Sequence, residues 1–262
     1  MSGMTSTVPA FRELAYWLDR YRRTWRGSAV MSVANPLLFV AAIGAGLGKL
    51  VDQHDSVYLH GVSYLKFMAP GLVAAAAMQI AYLESAGPVL QSARPGGNYR
   101  TAVAAPMRPA DVLAGHLLFI AFRIALSAAA VIAVITATGV IGPATAIELL
   151  PAAVLTGLAF ATPVAAFAVT VDRPVALNAV YRFVIMPLYM FSGTFYPTAQ
   201  LPAWLRGAVL FSPLWHGVQL CRSITLGTAT PAGTAVHLAV LAVLVVAGVL
   251  AASRTYTRQL AP

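Results

Sequence analysis

Charge is scarce in this sequence. Of 262 residues only 10% are Asp, Glu, Lys or Arg, and only 8 are acidic, where a soluble domain carries roughly 25% charged residues. Hydrophobic residues make up 59%, and the mean hydropathy is +0.77. Such a composition excludes a soluble enzyme, a disordered chain and a coiled coil, and leaves an integral membrane protein. Cysteine is nearly absent, and the single Cys221 permits no intrachain disulfide. A cleavable signal peptide is not expected, because the first 28 residues hold five Arg and no apolar core of about 7–15 residues.

Catalytic signatures are missing too. Gly44, Gly46 and Gly48 before Lys49 resemble a phosphate loop only superficially. Such a loop needs Gly where Ile43 stands and Ser or Thr where Leu50 stands. Six membrane helices would use about 120 residues, which leaves no room for a nucleotide-binding domain of ~200 residues. There is no Gly-x-Ser-x-Gly elbow and no His-Glu-x-x-His. His54, Asp55 and His60 fit no standard metal spacing and read as parts of an aqueous loop over 49–66. Cys221 and His216 lie five apart in a segment broken by Pro and Gly, a poor frame for a nucleophilic dyad.

What is present is a series of apolar runs. They predict an all-α integral membrane protein whose six spans cover 29–48, 67–87, 112–138, 149–171, 179–196 and 235–253. Asn35-Pro36 predicts a kink in the first. Over 9–27, Phe11, Leu14, Leu18, Tyr21 and Trp25 recur at helical steps with Arg12, Arg20, Arg22, Arg23 and Arg26 mostly off the stripe, which is the pattern of an interfacial helix. Residues 191–227 are apolar but broken by Gly193, Pro197, Pro202, Pro213 and Gly217. They read as short re-entrant or interfacial helices, with Trp204 an interfacial anchor.

Charge orients the spans. The 17 basic residues suggest nucleic acid in a soluble protein, but in a membrane protein they mark the inner side. With six spans, one side holds Arg12, Arg20, Arg22, Arg23, Arg26, Arg94, Arg100, Arg108, Arg173, Arg182, Arg254 and Arg258. The other holds Lys49, Lys66, Arg206 and Arg222. The ratio of 12 to 4 puts both termini in the cytoplasm.

Glu84, His116 and Arg123 are ionisable residues well inside spans. Counted from Val112, Arg123 sits about 16 Å along its helix, near mid-bilayer. A central Arg costs about 2.5–3.5 kcal/mol on the lenient insertion scale, so it faces protein or water or reaches toward a headgroup. It reads equally as a cavity or subunit-interface residue and as a structural contact. Glu84 is its candidate partner, although the depths estimated for the two differ. His116 reads as a packing histidine rather than a proton relay, and no series of ionisable residues crosses the bilayer, as a proton-coupled pump would need.

Two stretches carry a family resemblance. One is Tyr64-Leu-Lys-Phe-Met-Ala-Pro-Gly71 with Glu84 and the basic segment from Arg94 to Gly115. The other is Phe191-Ser-Gly-Thr-Phe-Tyr-Pro197, then Leu201-Pro202, then Ser212-Pro-Leu-Trp-His216 and Arg222. Together they resemble the membrane subunit of type-2 ABC exporters, with likeness to the nodulation lipo-oligosaccharide and daunorubicin-resistance permeases. Lys66 departs from the pattern, where relatives often have an acid.

The resemblance implies a half-transporter: two permease copies, as a homodimer or a pair of paralogues, with two separate ATP-binding subunits that hold ATP and Mg. This chain itself would bind no cofactor and no metal. It implies a bacterial cytoplasmic membrane location, contact with membrane lipid and no nucleic acid partner. It places a coupling helix within 95–110, where Tyr99, Val103 and Met107 at four-residue steps would plug a groove on the ATPase while Arg100 and Arg108 add charge contacts. It makes 9–27 the connector helix. Phe191, Phe195, Tyr196, Trp215 and His216 would form an outer gate. Spans rich in Ala, Val, Leu and Ile favour a hydrophobic or amphipathic cargo, a drug, antibiotic or lipid-like molecule. A lipo-oligosaccharide or polysaccharide exporter is the neighbouring reading. A non-transporting membrane anchor is the alternative of a different class.

Overall fold

A computed structural model of the chain describes residues 9–42 and 62–260. Every regular element in them is helical, and the protein is an all-α integral membrane protein. In chain order the helices are α1 (Pro9–Ala42), α2 (Tyr64–Ser85), α3 (Gly87–Ala93), α4 (Asn98–Ala104), α5 (Pro109–Ala137), α6 (Pro143–Ala168), α7 (Pro174–Val180), α8 (Met186–Phe191), α9 (Ala203–Leu210), α10 (Pro213–Leu226) and α11 (Pro231–Leu260). Among the described residues, five helical segments are long and apolar enough to cross a membrane: Tyr64–Ala93, Pro109–Ala137, Pro143–Ala168, Pro174–Phe191 and Pro231–Leu260. The expected first span, 29–48, begins inside α1 and runs into residues 43–61, outside the described residues. Most of the loop with His54, Asp55 and His60 lies there too. The connector segment 9–27 and the start of that span are one continuous helix rather than two.

Proline sets where the spans begin. Pro109, Pro143, Pro174 and Pro231 open α5, α6, α7 and α11, earlier than the apolar runs start. Hydropathy finds the edge of the lipid-compatible stretch. A helix starts where proline, which lacks an N–H that the first turn does not use, is already at the helical φ. One expectation changes with the boundary. Arg182, counted above on the cytoplasmic side at the start of the expected span 179–196, lies eight residues past Pro174, about 12 Å along the helix, on an exposed face.

Two prolines shape the spans internally. Pro88 conflicts with the carbonyl of Glu84, four residues back, and the second span bends at Ala86 between α2 and α3. Pro187 conflicts likewise with Phe183. The chain between α7 and α8 widens into a π turn over Tyr181–Ile185, with the Met186 N–H donating to the Tyr181 carbonyl.

α6 lies at the centre, packed against α2, α5, α10 and α11. Gly157 lets three helices meet. A Cβ there would stand 2.7 Å from Ile124 Cδ1 of α5 and 3.1 Å from the Ala77 carbonyl of α2, and small residues at such crossings let membrane helices approach closely.

At one end of the bundle the start of α2 meets the segment between spans five and six. That segment folds as a turn, a short 3-10 helix (Thr198–Gln200), α9 and α10, the short helices expected over 191–227. Arg222 of α10 is the clamp. Its Nε donates to the Phe67 carbonyl at 3.2 Å, its Nη2 to the Gly193 carbonyl at 2.7 Å, and its guanidinium lies 3.9 Å from the Phe67 ring centre. The Tyr64 hydroxyl donates to the Phe195 carbonyl at 3.0 Å. Trp204, 77% exposed, projects from α9. The first and last described turns, in α1 and α11, lie together at the opposite end.

Candidate coupling site

The opposite end is built around the short helix α4. Its approach is fixed by the turn Arg94-Pro-Gly-Gly97. Gly96 takes a left-handed φ of +78°. Gly97 sits so close to α3 that a Cβ would come 2.4 Å from the Ser92 carbonyl. Arg94 donates from its guanidinium to the Asp172 carbonyl in the turn before α7, and Arg100 Nε donates back to the Ala93 carbonyl at 3.2 Å. On the far side Asp111 accepts from the Arg108 N–H at 3.1 Å and starts α5.

Three other helices grip α4. From α5 comes His116: the Tyr99 hydroxyl bonds to its Nδ1. From α11 comes Tyr256, whose hydroxyl donates to the Tyr99 hydroxyl at 3.3 Å. Tyr99 and Tyr256 are fully buried and His116 nearly so. The three groups form one chain of hydrogen bonds, Tyr256 to Tyr99 to His116, if His116 accepts at Nδ1. Its Nε2 then carries the proton and has no partner among the described residues. Burial, and secondarily the neighbouring Tyr256, raises the Tyr99 phenol well above its ordinary range, so it is neutral.

From α1 comes Glu13, 2% exposed. Its Oε1 accepts from Trp17 Nε1 at 2.7 Å and from Asn98 Nδ2 at 2.6 Å, tying the connector helix to α4. Trp17 in turn stacks on His116, with ring centres 4.0 Å apart and planes 4° from parallel. α1 reaches this position because Gly115 offers no side chain. A Cβ there would stand 2.4 Å from the Ala10 carbonyl and 2.5 Å from Glu13 Cβ. Burial raises the Glu13 pKa above its ordinary value, against the opposing pull of the Trp17 and Asn98 hydrogen bonds.

The stripe Tyr99, Val103 and Met107 therefore faces inward. Tyr99 is sealed within the chain, and Val103 and Met107 pack partly buried against the same core. Tyr99 is therefore not free to fill a groove on another protein, whereas Val103 and Met107 keep part of their surface exposed. The outward face carries Arg100, Thr101, Ala104, Ala105, Pro106 and Arg108.

One helical layer above, Arg123 and Glu84 form an ion pair, Nε to Oε1 at 2.8 Å, and the Arg123 guanidinium lies 4.4 Å from the Tyr21 ring centre. The depth argument against this pairing does not hold. α5 starts at Pro109, and its first two turns lie beside α4 and α1. Arg123 is thus only about 10 Å beyond His116 along the axis.

At the end of the bundle that holds α9 and the start of α10, Phe191, Phe195, Tyr196 and Trp215 are partly buried and His216 is buried. Tyr189 meets Phe195 edge-on at 5.1 Å, and Trp215 meets His216 at 4.9 Å. His216 Nδ1 lies 2.9 Å from His237 Nδ1 of α11. Sequence reasoning passed over Glu13, Trp17, Asn98, Tyr256 and His237. For Tyr256 a signal existed: Gly248, Ala252, Tyr256 and Leu260 recur every four residues on α11. Arg254 and Arg258 between them gave that segment the look of a basic tail.

Residues 14–226 match the ABC-2 type transporter family. Nodulation protein J of Rhizobium leguminosarum bv. trifolii is 32% identical over 221 residues, covering 80% of this chain and 81% of the relative. Nodulation protein J of R. leguminosarum bv. viciae is 28% identical over 264 residues, covering 97% and 98%. That of Rhizobium meliloti (strain 1021) is 29% identical over 221 residues, covering 81% and 82%. No solved structure matches the chain.

Proposed function

The chain belongs to the ABC-2 type transporter membrane family, and from that premise we propose that it is the membrane subunit of an ATP-driven exporter in the bacterial cytoplasmic membrane. Two copies pair, both termini face the cytoplasm, and two separate ATP-binding subunits dock from that side. The cargo is a hydrophobic or amphipathic molecule taken from the cytoplasm or the inner leaflet. Lipo-oligosaccharide export is the second reading, favoured by the likeness to several nodulation J proteins.

The observation that carries this reading is α4. It is a short helix outside the spans, held by α1, α5 and α11, with one face left over. Such a helix moves only with its three holders. A push on its outward face is passed to the connector helix through Glu13–Asn98, and to span three through Tyr99–His116. Arg100, Thr101, Ala104 and Arg108 supply the docking surface, with two cations and two small residues that admit a neighbouring backbone. The Pro/Gly-broken helices at the other end, clamped by Arg222, cover the exit.

Thr101→Asp puts a charge on the centre of the docking face without touching the buried side. The expected outcome is loss of the cognate ATP-binding subunit on co-purification, with the membrane subunit itself still folded. Undiminished co-purification overturns the docking assignment.

A further inference from the structure

Span six touches the coupling helix at one end and the outer re-entrant helices at the other. Tyr256 donates to Tyr99 of α4 at 3.3 Å, with ring centres 5.5 Å apart. Nineteen residues earlier, about 28 Å along the axis, His237 meets His216 of α10 at 2.9 Å. Trp215 stands edge-on to both imidazoles, at 4.9 and 5.4 Å. No proline interrupts the helix between these points.

Between them Gly248 rests against α6. A Cβ there would come 2.2 Å from Thr162 Oγ1 and 3.0 Å from Pro163 Cδ, so the two helices are in close contact at that level. The fully buried positions of α11 are Leu241, Gly248, Ala252, Tyr256 and Leu260, along one line. Val236, Val243, Val246 and Leu250 are exposed. The helix thus packs one line of residues against α5, α6 and α10, comes closest to α6 at Gly248 and makes a polar contact toward each end, while its opposite face is exposed.

A displacement delivered at Tyr256 has two ways to be absorbed. Bending α11 breaks backbone hydrogen bonds in a medium with no water to replace them, at several kcal/mol per unsatisfied group. Tilting the intact helix about its central contact breaks none. We propose that α11 is a lever pivoting on Gly248, with Tyr256 and His237 as positioning residues that carry motion of the coupling helix to α10 on the far side of the membrane. The inference rests on reading 98–104 as the ATPase-docking helix. The arms run eight residues from Gly248 to Tyr256 and eleven from His237 to Gly248. The outer end therefore moves in the opposite direction by about a third more.

The test is pulsed spin-label distance measurement on the complex with its ATP-binding subunit in lipid nanodiscs, with and without a non-hydrolysable ATP analogue, in a Cys221→Ser background. The pair Ile147→Cys and Phe211→Cys reads the outer helices against α6. The pair Ile147→Cys and Pro95→Cys reads the turn before the coupling helix. In the otherwise unchanged chain both pairs shift on nucleotide binding. With Tyr256→Phe the outer shift falls at least twofold, and with Tyr256→Ala it vanishes, while the Pro95 pair still shifts. His237→Gln lowers the outer shift from the other end of the lever, and adding it to Tyr256→Ala removes nothing more. An outer shift that survives both Tyr256→Ala and His237→Gln overturns the lever and leaves the coupling helix standing. Absence of any nucleotide-dependent shift at Pro95 in the unchanged chain overturns the coupling-helix reading, and the lever with it.

Discussion

Two buried charges near the coupling site are handled in opposite ways. Arg123 has a carboxylate, Glu84, at 2.8 Å and an aromatic face beneath it. Removing one member of such a pair strands the other in a low-dielectric site, at about 3–5 kcal/mol, whereas replacing both by apolar or neutral groups of similar size costs far less. Glu84→Ala is therefore expected to lower unfolding stability in detergent by about 3 kcal/mol, and Glu84→Gln with Arg123→Met to recover most of the loss. Equal losses in the single and double variants would show that the pair is not the source.

Glu13 forms no ion pair among the described residues and relies on Trp17 and Asn98 as donors. Its pKa is raised by burial, so the folded state holds the proton more tightly than the unfolded one. The stability this adds is complete below the ordinary carboxyl value and is lost as pH rises through the raised value. Glu13→Gln keeps an acceptor and removes the titration. Its expected signature is a stability that no longer falls as pH rises above the ordinary carboxyl value, read by thermal unfolding across a pH series. A fall as steep as in the unchanged chain would remove Glu13 as its cause.

Elements raise a different question, which is who covers an apolar face. The stripe Tyr99, Val103 and Met107 was legible as a helical period in the sequence. Periodicity shows that a face is covered, not by which molecule, and for Tyr99 the cover is α5 and α11 of the same chain. Likewise five of the six apolar runs were legible as helices long and apolar enough to cross a membrane. Their starts were not, because they are set by Pro109, Pro143, Pro174 and Pro231 in polar flanks. The four-residue repeat that carries α11 on to Leu260 was hidden by its arginines. The Arg123–Glu84 contact was legible as a candidate pair, with a depth count from the wrong boundary set against it. The broken character of 191–227 was fully readable, since no helix passes through that many prolines and glycines. At this scale the crossing of α1 and α5 turns on one position. Gly115→Leu drives a side chain into the Ala10 carbonyl and Glu13, and the expected cost is about 1–3 kcal/mol of overpacking. The Trp17 indole should also become accessible to aqueous quenchers. Unchanged quenching would mean that α1 is held elsewhere.

For the molecule as a whole, the two ends of the bundle do different chemistry. One gathers Glu13, Asn98, Tyr99, His116 and Tyr256 around a small helix with a basic outer face. The other gathers Arg222, Tyr64, Trp215 and the His216–His237 pair around short broken helices. With Arg182 placed inside span five, the sequence-based count of basic residues on the two sides expected of six spans is eleven to four. Between the ends, α2, α5, α6 and α11 form an apolar bundle with small residues at its crossings. The central claim is that cargo leaves the cell through this subunit by force applied at α4. Comparative mass spectrometry of amphiphilic compounds in the medium tests it most directly, in cells lacking the subunit and complemented with either the unchanged chain or Thr101→Asp. One or more compounds should disappear from the medium on deletion, return with the unchanged chain and stay absent with Thr101→Asp. A medium unaltered by the deletion, or restored in full by Thr101→Asp, would contradict the account.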